Sequence, residues 1–395
     1  MPSTLAELLT FALMLWMGVG FTRRPGCWFR WKLFSHATFS IVTLTGTKDG
    51  RTEPVNPYAE LSPGSLMLPP PVLQAIISHY VRTPAATTGS TVTDVSCPPE
   101  ASSGSRCATA VLWFVDAVTS GFQHPTDPSR LQMFRIAFGA VLTFRFAAAF
   151  TSGGWNRFAP GQVQAAFARR RHGDTRARVR FAVHRPMLVL RALAAPALAL
   201  GLAPRLTLPI VLAGAATEFA YLRSPSAVRY IILTGGCLLL AGDLGHGLTL
   251  THAPSHANTW AQCLLVLATS DIYLNSAWHK IRSSQFRSGL YLAQFIHTYA
   301  QVKNDLRHRR QFAIPRLVQQ HLGNLTAYDI RAWRALSATV IVVELALPIG
   351  LILPQTRPYA AAAGIAMHAA FSCLKPVQLV TFSGLATASY LAFAP

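Results

Sequence analysis

The sequence predicts an all-α polytopic membrane protein of about 8–9 transmembrane helices, with a small mixed extracytoplasmic domain near the amino terminus. Half of the 395 residues are hydrophobic (51%) and only 13% are charged, which is about half the charged share of a soluble domain. Apolar runs of roughly 17–20 residues recur along the chain, and a helix needs this length to cross a bilayer. Basic residues gather between these runs, as the positive-inside rule predicts.

These runs divide the chain into three parts. Residues 1–21 hold a short apolar run, Leu5 to Phe21, that suits a membrane anchor or an uncleaved signal. Residues 22–129 are rich in Pro, Ser, Thr and Gly and form an extracytoplasmic domain or a long loop. Residues 130–395 form a transmembrane helical bundle. Its spans are expected at roughly 132–151, 187–203, 206–222, 230–248, 260–279, 335–353, 358–374 and 377–394.

The amino-terminal region carries two local signals. The strand-like stretch from Thr38 to Thr45 is followed by Lys48-Asp49-Gly50, a turn signal typical of hairpins. Cys97 and Cys107 form a disulfide if this region faces an oxidising compartment. Two free thiols fit the sequence nearly as well.

The basic residues of the bundle give its orientation. Most of them gather in four connections, at 157–185, 223–229, 280–334 and 375, whereas the alternate connection 247–259 holds no Lys or Arg. If every run crosses the membrane, all four fall on one side, which is the cytoplasmic side. The basic residues at 23–32 oppose this placement, so it stays open whether the first run spans. The net charge of +20 therefore indicates membrane orientation, and we expect no nucleic-acid partner.

Several ionisable residues lie inside the apolar runs. Asp271, Glu344 and His368 are the main ones, and Glu218 and Asp243 are further acids. A charge at the bilayer centre costs roughly 2.5–3.5 kcal/mol on insertion scales. These side chains therefore need partners inside the bundle, and we expect His368 to pair with one of the acids.

Glu344 precedes Pro348 by four residues, which predicts a kink around a buried carboxylate. That carboxylate is expected either to be protonated or to pair with Arg135 or Arg145 of the second span. No HxxH or paired Cys spacing is present, so we expect no metal.

The run that ends at Lys280 carries several polar residues. Asp271, Asn275 and His279 recur every four residues and share one helical face, which indicates either a functional site or a hydrogen-bonded seam between helices. Trp278 lies near an interface level. The position of Lys280 alone favours a lysine that extends to the cytoplasmic interface, and the alternative is a base or a cation that anchors a ligand.

Segments of the bundle resemble, in order, the signatures of the horizontally transferred transmembrane domain family. Met133–Gly139 resembles its apolar-Phe-Arg element. The stretch Ser270–Ile281, with Phe286 and Gly289 after it, is similar to its Tyr-x-x-x-Gly-x-x-Lys block, although Ala277 replaces the glycine and Phe286 the usual tryptophan. Val343–Pro348 and His368 resemble its Glu-x-x-x-Pro and downstream His elements.

The resemblance implies a function for this bundle. The family includes vitamin K-dependent gamma-carboxylases and bacterial membrane proteins that mature sporulation-delaying peptide toxins. It implies that Lys280 is a base acting on a reduced quinone, with Asp271, His279 and Glu344 in its proton network. Cofactor contacts are expected from the polar residues around this site, namely Arg135, Asn275, Trp278 and His368. The length of the chain is closer to the toxin-maturation type than to the carboxylases.

We therefore expect a multi-pass protein of a bacterial cytoplasmic membrane that matures or exports a small secreted peptide or toxin. Its partners are expected to be the lipid bilayer, the peptide and other membrane proteins of the same pathway. The alternative is a non-enzymatic transporter, scaffold or immunity protein. A transporter often shows matching repeats, and this sequence shows no convincing one.

Overall fold

A computed structural model of the protein describes part of the chain, and the part described is mostly helical, in line with the predicted fold class. The described residues are 11–12, 15, 44–48, 51–55, 124–151, 169, 173–221, 226–302, 330–374 and 376–393. Most of the expected anchor at 1–21 and of the region 22–129 lies outside these residues, as do Cys97 and Cys107.

The described part of the bundle contains ten α-helices and a carboxyl-terminal 3₁₀ helix. Their bounds are α1 Ser129–Thr151, α2 Asp174–Ala199, α3 Pro204–Tyr221, α4 Ser226–Leu239, α5 His256–Arg282, α6 Ser284–Arg287, α7 Leu290–Val302, α8 Ile330–Ile352, α9 Arg357–Leu374, α10 Pro376–Ala388 and the 3₁₀ helix Ser389–Phe393.

Several helices differ from the predicted spans. The span expected at 230–248 is too long, because α4 ends at Leu239. The span expected at 187–203 begins earlier, because α2 starts at Asp174 and takes in part of the basic connection. Helices α6 and α7 lie in the segment 280–334, which the sequence predicts to be a connection. The many basic residues of this segment indicated a loop, although the short apolar stretches among them are helical.

Two short strands precede the bundle. β1 (Leu44–Lys48) and β2 (Arg51–Val55) pair antiparallel, with Lys48 opposite Arg51. The predicted turn signal Asp49-Gly50 stands between them in the sequence. The strand itself was expected at 38–45, and residues 38–43 lie outside the described ones.

Three helices in the described part of the chain are long and apolar enough to cross a membrane, and they are α1, α2 and α8. α5 has 27 residues and is not among these three. It carries many buried polar side chains, which lower its mean hydropathy but face other helices. These polar residues are Asn258, Thr259, Gln262, Thr269, Ser270, Asp271, Asn275, Ser276 and Lys280.

Neighbouring helices in the chain pack side by side, and the last helix closes the bundle. α1 packs on α2, α2 on α3, α3 on α4, α4 on α5 and α5 on α8, while α10 returns to contact α1 and α4. The main core is apolar and includes Phe134 and Phe138 of α1, Leu208 of α3, Ile231 of α4 and Leu265 of α5. This arrangement places α5 beside α8, where the candidate site lies.

Arg135 of α1 binds the end of α2 and the connection between α4 and α5. The expected pairing of Arg135 with Glu344 is not present. The Arg135 guanidinium donates to the carbonyl of Leu198 at 2.6 Å, of Ala199 at 3.2 Å and of Gly247 at 2.8 Å. The side chain is fully buried, and these carbonyls lie at the end of α2 and in the connection between α4 and α5. Arg135 therefore has a structural role at the opposite end of α5 from Lys280.

A second ionic cluster joins α1, α2 and α3. Glu218 of α3 accepts from Arg145 of α1 at 2.7 Å and from Arg191 of α2 at 3.0 Å. The Arg191 guanidinium also lies 4.4 Å from the centre of the Phe146 ring. The expectation that Arg145 pairs with Glu344 is therefore wrong, because Glu218 is its partner.

Asp243 holds the connection between α4 and α5. α4 ends at Leu239, so Asp243 lies outside the helix in which the sequence analysis places it. Its carboxylate accepts from the Thr251 hydroxyl at 2.6 Å and from the backbone N–H of Gly245 at 2.7 Å. These two hydrogen bonds, that from Thr251 first, hold the pKa of Asp243 below its ordinary value.

We expect Asp243→Asn to lower the unfolding free energy by roughly 1 kcal/mol at neutral pH. A lowered pKa in the folded state stabilises the fold above the unfolded value of about 3.9, and this contribution disappears as the pH falls through the folded value. The stability gap between wild type and variant should therefore shrink in acid, as followed by thermal unfolding. Thr251→Ser keeps the donor hydroxyl and should behave like wild type. A gap that does not change with pH would refute this role.

Candidate functional site

The centre of the candidate site is an ion pair between α5 and α8. Lys280 Nζ donates to Glu344 Oε1, and both side chains are buried, with 0% and 4% of their surfaces exposed. Ser276, one turn before Lys280, accepts from Nζ at 2.8 Å and donates to the same Glu344 oxygen at 3.2 Å. The three groups form a closed triangle. A charge pair buried this way depends on each partner being present.

Lys280 does not extend to a membrane interface, which was the interpretation that its position alone favoured. Its ammonium lies 5.5 Å from the centre of the Phe286 ring and 6.0 Å from that of Phe371. Aromatic faces at this distance attract a cation. Lys280 is thus enclosed by a carboxylate, a hydroxyl and two rings.

The helix that carries Glu344 is continuous through Pro348. α8 runs from Ile330 to Ile352 with this proline inside it, so the helix continues past the position at which a kink was predicted. Proline has no N–H, so Pro348 cannot donate to the carbonyl four residues before it, which is that of Glu344. The helix is therefore weakened at the residue that bears the carboxylate.

A second set of polar groups surrounds Tyr273, which lies about one turn of α5 before Ser276. The Tyr273 hydroxyl is 2.7 Å from His368 Nε2 of α9 and 2.7 Å from the hydroxyl of Tyr390 in the 3₁₀ helix. His368 Nδ1 lies 3.3 Å from the Ser383 hydroxyl of α10. His368 therefore pairs with hydroxyl groups and not with an acid, contrary to expectation.

A small cavity connects the ion pair to the Tyr273 group. Glu344, Ser276, Tyr273 and His368 line it together with apolar side chains. The apolar lining consists of Ile272, Met367, Phe371, Leu379 and Phe382. The space is about large enough for a single water molecule. The site is thus one small chamber, with the Glu344 carboxylate at one end and hydroxyl and imidazole groups at the other.

Of the predicted network of Asp271, His279, Glu344 and Lys280, the structure places Lys280 and Glu344 in contact. Asp271 and Lys280 are nine residues apart on α5, and at 3.6 residues per turn this spacing places them on opposite sides of the helix. Asp271 and Asn275 are buried, and His279 is half-buried, on that other face. Sequence reasoning correctly grouped these three residues, but the ion pair uses a different face.

The expected cofactor contacts are also dispersed. Of the four, His368 lines the cavity, whereas Arg135 lies at the opposite end of α5. Trp278 is half-buried, and the Arg282 guanidinium covers its ring at 4.6 Å. Asn275 lies on the Asp271 face, away from the chamber.

Two residues of the chamber were missed by the sequence analysis, although a signal for them exists. Tyr273, Ser276 and Lys280 are spaced by three and four residues, so they share one helical face. Thr269 continues the same spacing. The spacing of four residues that begins at Asp271 marks the opposite face of α5 instead.

Among the described residues, no group of three or more His, Cys, Asp or Glu side chains is placed to hold a metal ion. Comparisons with known proteins were also made. No protein-family model matches the chain, and no curated protein or solved structure is significantly similar to it.

Proposed function

We propose that the protein is a multi-pass factor of a bacterial cytoplasmic membrane, with about eight or nine crossings and residues 22–129 outside the cytoplasm. Three helices of sufficient length and apolarity support a membrane location. Many apolar side chains on their outer faces are exposed, as a lipid-facing surface requires. Examples are Phe144, Leu190, Leu193, Val342 and Ile349.

The function that the site supports best is a proton-abstraction step in the maturation or export of a small secreted peptide. The observation that carries this proposal is the buried Lys280–Glu344 pair beside a small chamber. Transfer of a proton from Lys280 Nζ to Glu344 leaves a neutral amine, which is a base. Burial makes two charges costly, which brings the neutral pair within reach of the ion pair. Ser276 holds both groups in position during the transfer.

A reduced quinone does not fit this chamber. The aromatic and apolar lining suits a quinone ring, but the space is about that of one water molecule. No step of the proposed chemistry therefore passes through a quinone. Lys280 is fully buried, so a substrate group reaches it only if the helices around it move, and the weakened turn at Pro348 lies in one of these helices.

A second candidate is a proton-coupled transporter. The small size of the chamber and its ionisable lining favour this function, because protons and water pass where a larger ligand is excluded. The covalent state of the peptide distinguishes the two functions, because an enzyme changes it and a transporter does not.

Replacing Lys280 by Ala should abolish the mature peptide, with a loss of roughly 10²-fold or more, as expected for removal of a general base. The measurement is mass spectrometry of small peptides secreted by cells that make the wild-type protein, the variant or neither. Arg282→Ala is the matched control, because it removes an exposed cation two residues further on.

Protein abundance in the membrane must be equal in all strains. If Lys280→Ala accumulates poorly, the double variant Lys280→Met/Glu344→Met removes the base without leaving a buried charge. Undiminished mature peptide from either well-folded variant would refute the proposal. Peptide that is unmodified but retained in cells would favour the transporter.

A further inference from the structure

One oxygen of Glu344 has no hydrogen-bond partner within the described part of the chain. Oε1 accepts from Lys280 and Ser276, whereas Oε2 is buried and takes no hydrogen bond there. A buried carboxylate oxygen without a donor is costly, by about 1–3 kcal/mol. Such an atom indicates a bound molecule that supplies the donor.

The chamber supplies a place for that molecule. Glu344 lines it together with Ser276, Tyr273 and His368, and the space is about that of one water. A buried water needs two to four polar partners, and these four side chains provide them. The chemistry of the lining therefore fits a single water that bridges Glu344 to the Tyr273 group.

Beyond this position, the hydrogen bonds continue. The Tyr273 hydroxyl lies 2.7 Å from both His368 Nε2 and the Tyr390 hydroxyl. A tyrosine hydroxyl and a neutral imidazole can each accept one proton and release another. Gly364 makes room for this contact, because a Cβ there would lie 2.8 Å from Tyr390 Cζ.

We propose that a bound water and the relay Tyr273–His368–Tyr390 form a proton path to the Lys280–Glu344 pair. When the base step has added a proton to the pair, Glu344 gives a proton to the water, the water gives one to the Tyr273 hydroxyl, and Tyr273 gives its own to Tyr390 or His368 Nε2; lowering the pH drives the same path in reverse. One proton moves, and no electrons are exchanged. The titratable side chains that surround Glu344 in the described elements are Lys280 and Tyr273 of α5, His368 of α9 and Tyr390 of the 3₁₀ helix.

The path leads away from the Lys280 end of α5. Lys280 lies seven residues beyond Tyr273, or about 10 Å along the helix axis. The 3₁₀ helix of Tyr390 extends further in the same direction, since Gln262 near the start of α5 donates to the carbonyl of Ala392 at 2.8 Å. The relay therefore connects the ion pair to the side of the α4–α5 connection. It serves the base chemistry proposed above by removing the proton that the pair takes up, but its test needs no peptide product.

The test follows the protonation of Glu344 by infrared spectroscopy after a step from neutral to acidic buffer, with the full chain in lipid nanodiscs. The Glu344 band is the carboxylic-acid band that is missing in Glu344→Gln. If Glu344→Gln does not fold, the double variant Lys280→Met/Glu344→Gln identifies the band in its place, because it also lacks the Glu344 carboxyl group. We expect Tyr273→Phe to slow the appearance of this band by about tenfold or more, since it removes one proton-transfer group.

Tyr291→Phe is the matched control, because Tyr291 is equally buried but lies outside the relay, and its rate should match wild type. Tyr390→Phe breaks the next link and replaces Tyr273→Phe if that variant misfolds. Equal rates in wild type and both relay variants would overturn the proposal. A wild-type protein in which the Glu344 band never responds to the pH step would also overturn it. If peptide maturation is lost but neither of these two results is found, the loss bears on the proposed function and leaves the proton path standing.

Discussion

Lys280→Met should lower the free energy of unfolding by about 3–5 kcal/mol, the usual cost of removing one partner from a buried ion pair. The reason is the charge that stays behind. Glu344 has 4% of its side chain exposed, and Ser276 is then its one remaining donor in the described part of the chain. Chemical unfolding of the purified protein in detergent measures the effect.

The control is Arg282→Met, which removes a cation from an exposed position on the same helix. Surface substitutions of this type usually change stability by less than about 0.5 kcal/mol. A Lys280→Met variant as stable as Arg282→Met would show that the buried carboxylate does not depend on this lysine.

Glu218→Gln should be the second most destabilising change, at about 3 kcal/mol. Glu218 accepts from Arg145 and Arg191 at once, so its loss leaves two guanidiniums near each other without a shared acid. Arg191 has only 6% of its side chain exposed and cannot regain full hydration. Thermal unfolding in detergent follows the change.

Asp174→Asn is the comparison for this second variant. Asp174 is 72% exposed and lies 4.0 Å from Arg169, so the loss of that pair should be close to neutral. Equal stability of Glu218→Gln and Asp174→Asn would contradict an ionic link between α1, α2 and α3.

Much of the bundle could be predicted because hydrophobic length is a local property. The helices around Phe138, Leu208 and Leu347 begin and end within a few residues of their apolar runs. The predicted helix bounds were wrong where apolar residues continue beyond the end of a helix and where basic residues surround one. α4 ends at Leu239, where a Gly-rich connection keeps some apolar residues without continuing the helix. α7 was missed because basic residues surround a helix that packs on α8.

The site was harder to predict, since it depends on which helices meet. The sequence marked Glu344 and His368 as ionisable groups inside apolar runs, and the structure places both on the lining of one chamber. Lys280 contacts Glu344 beside this chamber. The sequence could not show that Glu344 pairs with a lysine of α5 rather than an arginine of α1, because both partners are distant in the chain. It selected Asp271 because a repeat of four residues is conspicuous, although the functional face follows a spacing of three and four.

The central claim is that Lys280 and Glu344 act as one buried unit, and a double-mutant cycle tests it most directly. Unfolding free energies are measured for wild type, Lys280→Met, Glu344→Met and the double variant. The account predicts a double variant that is more stable than either single one, because it contains no uncompensated charge. Additive losses, with the double variant the least stable of the four, would contradict it.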